Sequence, residues 1–125
     1  MRSLTFAAAL AALSFGVVAC GGYGGASPAN PTNSSTPPAG AMIINVVGIN
    51  GAQSFSPNPA AVPPGQTVSW HNVDTTTHRV VLNDGELDTG NIAPGAFSAA
   101  MPLVASAPYH CSIHPDMVGT AVANR

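Results

Sequence analysis

An all-β fold is predicted by three features of this 125-residue sequence. Charged residues form only 6% of it, against about a quarter in ordinary domains, so the Lys and Glu that exposed helix faces need are nearly missing. Thirteen Gly and twelve Pro punctuate the chain into short pieces. Between them lie runs of Val, Ile, Thr and aromatic residues, the signature of a small sandwich or barrel. The charge balance also excludes a partner class. With three Arg, no Lys and five acidic residues there is no basic surface for phosphate, so nucleic acid is not an expected partner.

Residues 1–19 read as a secretory signal: Arg2 supplies one charge, and residues 4–19 are apolar and small over a stretch short for a spanning helix. The segment ends in Val17-Val18-Ala19-Cys20, which resembles the bacterial lipobox. That resemblance implies cleavage before Cys20 and acylation of its thiol and new N-terminus. Acyl chains, at about 0.8 kcal/mol per buried methylene, would anchor the protein to a membrane of the cell envelope, on the periplasmic side. Gly21, in place of the Asp associated with inner-membrane retention, favours the outer membrane. Residues 20–41 are the lipidated Cys and a tether, because Gly, Pro, Ser, Thr and Asn without charge bury almost nothing. The folded domain is then residues 42–125, a single core of modest size.

Within the domain each element has its own signal. Met42 to Ile49 is nearly continuously apolar, as in a strand covered on both faces. Phe55-Ser56-Pro57-Asn58-Pro59 cannot hold a regular ladder, since its two prolines lack donors. Residues 60–62 pair briefly before the Pro63-Pro64-Gly65 turn. Thr67-Val68-Ser69-Trp70 alternates polar and apolar positions, residues 72–77 form a polar loop, and His78-Arg79-Val80-Val81-Leu82 is the next strand. Turns follow at Asp84-Gly85 and Ala93-Pro94-Gly95, and the Asp84 to Asp88 acidic run reads as solvated. Strands over 97–101, 109–111 and 118–123 complete the series.

The chemistry is concentrated in Tyr109-His110-Cys111-Ser112-Ile113-His114-Pro115-Asp116-Met117. Cys111, His114 and Met117 offer a thiolate, an imidazole and a thioether from one short loop. A thiolate and two nitrogens with a weak axial thioether suit copper cycling between oxidation states. His78, opening a strand after a polar loop, is the candidate for the second nitrogen. If Cys20 is acylated, Cys111 has no partner for a disulfide and is expected to be inert or occupied. His71 and His110 alternate away from the core and are expected outside the metal set.

On these residues the sequence is similar to the cupredoxins, the type 1 blue copper proteins, of the amicyanin and plastocyanin kind. The resemblance spans nearly all of residues 42–125 and rests on Phe55-Ser56-Pro57, the stretch from Gly65 to Asp74, His78-Arg79-Val80, and Tyr109-His110-Cys111 through Met117-Val118-Gly119. It implies a small Greek-key β-sandwich holding one type 1 copper, with His78, Cys111 and His114 as equatorial ligands and Met117 as the axial one. Three positions depart from the pattern. Arg79 stands where many relatives have an Asn that ties the ligand loops, Ile113 where amicyanins have Pro, and Asp116 where they have an apolar residue.

The function implied is electron transfer with a redox protein of the cell envelope, entering and leaving through His114. No substrate bond is made or broken, so the protein is expected to be a carrier, not an enzyme, and a monomer. Copper storage, delivery or sensing through the same ligands is the alternative. A zinc or hydrolytic module is disfavoured, because Met is a poor zinc ligand and no acid–base pair accompanies the loop.

Overall fold

The computed structural model describes residues 33–124. The expected signal, Cys20 and the expected tether as far as residue 32 lie outside the described residues. No helix among the described residues is long and apolar enough to cross a membrane.

The described residues form eight strands: β1 (Ala41–Val46), β2 (Phe55–Ser56), β3 (Ala60–Val62), β4 (Thr67–Asn72), β5 (Val80–Leu82), β6 (Met101–Pro102), β7 (Ala107–Cys111) and β8 (Val118–Ala123). A single 3-10 turn covers Gly51–Gln53. The strands make two four-stranded sheets, ordered β2-β1-β4-β6 and β3-β8-β7-β5, so the predicted all-β sandwich is the observed fold. Between β1 and β4 the chain crosses to the opposite sheet at β3. That crossover lets β1 and β4 pair in parallel, from Ala41 opposite Thr67 to Val46 opposite Asn72. The outer strands β2, β3, β5 and β6 hold only two or three residues, whereas β1, β4, β7 and β8 hold five or six.

Period-two alternation sends Ile44, Val46, Val68 and Trp70 inward from one sheet to meet Val80, Leu82, Tyr109 and Cys111 from the other. Each large side chain buried this way stabilises the fold by about 1.5–3 kcal/mol. Tyr109 lies at the centre, edge-on to Phe55 (centroids 4.8 Å apart) and to Trp70 (5.4 Å). Its burial pushes the phenol pKa well above the ordinary value.

Several elements differ from the sequence reading, and three of the differences have a visible cause here. The first strand stops at Val46, because Gly48 takes φ +143° and Val47 N–H turns to Ser54 O (2.9 Å). Val47 and Ile49 are therefore exposed and Ile43 only half-buried, so β1 is not covered on both faces. The strand expected over 97–101 is interrupted by Ser98. Its Oγ accepts Trp70 N–H (3.0 Å), while its own N–H donates to Trp70 O (2.8 Å) and its carbonyl accepts Ser69 Oγ–H (2.7 Å). A side chain thus occupies a ladder position, and regular pairing resumes only at Met101. Finally, Ser34 exchanges two backbone hydrogen bonds with Phe97 (3.0 and 2.7 Å), which ties the segment ahead of β1 to the sheet.

Candidate metal centre

Cys111 ends β7 at one end of the sandwich. Its N–H donates to Met117 O (3.0 Å), and Met117 N–H donates to His114 O (3.0 Å), closing residues 111–117 into a tight loop. That closure brings the Cys111 sulfur and the His114 ring to the same side. His78 reaches them from just ahead of β5, which opens at Val80 and not at His78 as the sequence suggested, because His78 bridges to Ile92 instead. Val80 lies opposite Cys111 in the β5–β7 register, and His78, two residues earlier, shares its inward face. Two hydrogen bonds with Ile92, N–H to O at 3.1 Å and O to N–H at 2.6 Å, pin the His78 backbone.

The donor atoms converge. Cys111 Sγ lies 3.7 Å from His78 Nδ1 and 3.8 Å from His114 Nδ1. All three fall within 4.8 Å of one another, with the two rings 5.2 Å apart at 62°. His78 and Cys111 are fully buried and His114 half-buried. Met117, the remaining predicted ligand, closes the same loop and is wholly buried. Two imidazoles and a thiol so placed fit a metal that accepts both nitrogen and soft sulfur, and copper is such a metal.

The second nitrogen of His78 is also accounted for. Nε2 lies 2.8 Å from Asp74 Oδ2. An ionised carboxylate only accepts, so Nε2 carries the proton and, in the neutral ring, Nδ1 keeps a lone pair toward Cys111. The His78 ring N–H, and after it the Thr75 N–H, hold the Asp74 carboxyl below the ordinary carboxylate range. Asn72, fully buried, organises the loop between: its Nδ2 donates to Thr76 O (2.7 Å) and Ile92 O (2.9 Å), and its Oδ1 accepts Asp74 N–H (3.0 Å). Neither Asn72 nor Asp74 stood out as a site residue in the sequence. The polar Asn72-Val73-Asp74 spacing was the available signal, because Asx side chains commonly accept a backbone N–H two residues on.

Arg79 does not bring its side chain to the site. Its guanidinium forks onto both carboxylate oxygens of Asp88, with Nε 2.9 Å from Oδ1 and Nη2 on Oδ2. That contact is the main cause holding the Asp88 carboxyl below its ordinary range. The Arg79 backbone instead joins the ligand segments, its carbonyl accepting Ser112 N–H at 2.8 Å. His71 stacks on Phe97 (3.9 Å, 5°) beside Asn45, and His110 Nδ1 lies 2.6 Å from Asn83 Oδ1.

Compared as a sequence, the chain matches no family model and no curated protein. Compared as a structure, it is similar to the Cu(I) form of a methionine-to-alanine variant of amicyanin. Identity is 20%, with 75% of this chain and 93% of that one covered and a TM-score of 0.61. A reduced amicyanin variant with Tyr in place of Trp is similar at 23% identity over 74% and 97% of the two chains, TM-score 0.58. A purple cupredoxin from Nitrosopumilus maritimus is similar at 24% identity over 66% and 99%, TM-score 0.55. At the end of this β-sandwich, where His78, Cys111 and His114 meet, the chain has the fold of the cupredoxins.

Proposed function

We propose that this domain is a one-copper electron carrier of the bacterial cell envelope, held to a membrane through acylated Cys20 and acting as a monomer. The observation that carries the reading is the buried Cys111 sulfur, with the Nδ1 atoms of two histidines at 3.7 and 3.8 Å. Copper, when bound, supplies a one-electron couple between Cu(II) and Cu(I). Cys111, His78 and His114 would hold it as equatorial ligands, and Met117 would offer its thioether as the weak axial donor. A donor set pinned by backbone hydrogen bonds at Cys111, His78 and Met117 reorganises little between oxidation states.

Burial of His78 and Cys111 excludes water, and half-exposed His114 gives the site its edge to solvent. Next to it in the loop Ile113 is 45% exposed, and Pro115 and Asp116 also face solvent. This low-charge surface suits transient contact with a redox protein partner, and Asp116 favours a partner with a complementary basic group. No acid–base pair is asked of the site, consistent with a carrier.

A visible absorption spectrum taken on Cu(II) addition and after ascorbate tests the reading. An intense thiolate-to-copper band that ascorbate bleaches and an oxidant restores is expected, and Cys111→Ser abolishes it. Retention of the band in Cys111→Ser refutes the ligand assignment. Copper that leaves for a Cu(I) acceptor after one reduction would replace the carrier with a storage or delivery protein.

A further inference from the structure

We propose that residues 33–40 are a strap that joins the anchor to the metal half of the domain, so that the His114 end faces the membrane and its electron partner is a redox protein held at that same membrane. The inference rests on the acylated-Cys20 and copper readings above and deepens them by saying where the partner sits.

The two ends of the sandwich are set by β1 and β4. Ala41 lies opposite Thr67 at one end, and Val46 lies opposite Asn72 five residues farther along. At about 3.3 Å per residue the two ends are roughly 17 Å apart. The metal ligands belong to the Asn72 end, because the Asn72 amide donates to Ile92 O and Ile92 exchanges two backbone hydrogen bonds with His78. Leu103, Val104 and Ala105 belong to the other end, since they follow Pro102, which lies opposite Thr67.

The chain ahead of β1 does not keep to the end where β1 starts. Ser34 exchanges two backbone hydrogen bonds with Phe97, and Phe97 is also the bridge partner of His71, the residue before Asn72. The Asn33 amide donates to Asn91 O, beside Ile92. Ser34 Oγ then accepts Thr36 N–H at 3.0 Å, which bends the chain, and Pro37 and Pro38 fix two successive φ angles on the way to Ala41. A chain arriving from Cys20 therefore meets the domain on its metal half first, and only afterwards reaches the start of β1.

The residue count gives this pinning its consequence. Asn33 is 13 residues from Cys20, a span of at most about 45 Å. If the strap were free, the first fixed residue would be Ala41, 21 residues away, with a span of about 75 Å from the opposite end. The strap thus shortens the reach of the anchor and moves its attachment toward the ligands. Half-buried His114 is kept on the membrane side, within reach of a partner in or on the bilayer and turned from the aqueous space beyond.

The test places the full-length acylated protein, isotope-labelled and loaded with Cu(I), on nanodiscs containing a gadolinium-chelating lipid. The amides of Ser112, Ile113 and Asp116 are expected to broaden several-fold more than those of Leu103, Val104 and Ala105. Ser34→Pro removes the N–H donated to Phe97 and should erase that difference. It should also slow oxidation of the Cu(I) protein by a ferrocenium-headgroup lipid about twofold, since effective concentration falls as about the −3/2 power of tether length. One electron passes from Cu(I) to ferrocenium in that assay, giving Cu(II) and ferrocene, and oxidation by soluble ferricyanide should not change.

Equal broadening at the two ends of wild type, or stronger broadening at residues 103–105, would overturn the proposal. A difference that survives Ser34→Pro, with the Phe97 amide newly open to hydrogen exchange, would overturn the part played by the strap. Should Ser34→Pro fail to fold, the wild-type comparison still decides the orientation, and Asn33→Ala, which gives up only the Asn91 contact, should narrow the difference. A wild-type chain that never joins the nanodiscs would sink the anchor reading instead, while exchange protection of the Ser34 and Phe97 amides would still decide whether the strap is held. Loss of the thiolate-copper band would sink the electron-transfer reading and leave the orientation measurable on the metal-free protein.

Discussion

Gly119 lies directly under the ring of Tyr109. A methyl group placed on its Cα would overlap Cζ and come within 2.6 Å of both Cε2 and Oη. The ring is buried and braced by Phe55 and Trp70, so it cannot retreat. Gly119→Ala should therefore destabilise the domain by about 1–3 kcal/mol, the usual cost of overpacking a filled core. Denaturant unfolding of the metal-free protein measures this, and an unchanged midpoint would mean the ring moves freely.

Asn72 should be as sensitive for a different reason. Asn72→Ala leaves the Thr76 carbonyl and the Asp74 N–H without their partner, an expected loss of about 1–3 kcal/mol. Asn72→Asp keeps the acceptor for Asp74 N–H but loses both donors and sets an anion against two carbonyls, so it should be the less stable variant. Equal unfolding midpoints for the two would contradict the donor role.

Acid should weaken the metal-free fold through two carboxylates. Asp74 and Asp88 are both held below the ordinary value of 3.8, so the folded chain takes up their protons less readily than the unfolded chain. Their contribution is full above about pH 4 and is lost as pH falls through the folded values. Arg79 and Asp88 are well exposed, so Asp88→Asn should cost about 1 kcal/mol or less near neutral pH and less still at high salt. A salt-independent loss would show that this pair is shielded from solvent.

The anchor is tested apart from the domain. Membrane fractionation and mass spectrometry of the N-terminal peptide should find wild type acylated at Cys20 and membrane-bound, and Cys20→Ser unacylated. A freely soluble, unmodified wild-type protein would remove the lipoprotein proposal.

The meeting of Cys111 and His114 was legible in the sequence, because the two sit in one short loop and local spacing alone brings them near each other. His78 was legible because alternation carries the inward phase of Val80 back to it, although it pairs with Ile92 as an isolated bridge ahead of β5. Contacts that depend on register were not. Nothing in the sequence shows that Ser98 Oγ takes a ladder position, or that Arg79 turns outward to Asp88 and leaves its carbonyl to join the loops. The over-long first strand had another cause. Val47 and Ile49 read as core by composition, but the Gly48 turn carries them to the surface.

The shortness of the outer strands has a bearing on how the protein stays dispersed. A chain with 6% charged residues has little electrostatic repulsion between copies, so protection from sheet-to-sheet aggregation has to come from elsewhere. An unpaired edge is a template for another chain, and its reach grows with its length. Here Pro57 follows β2, Pro63 and Pro64 follow β3, and Ser34 bonds to the far side of Phe97 just ahead of β6. The outer strands are each two or three residues long, β2 and β3 are followed by prolines that cannot donate, and β5 is covered by its bonds to Leu87 and Thr89. Neighbouring copies in a concentrated solution would find no continuous strand to extend.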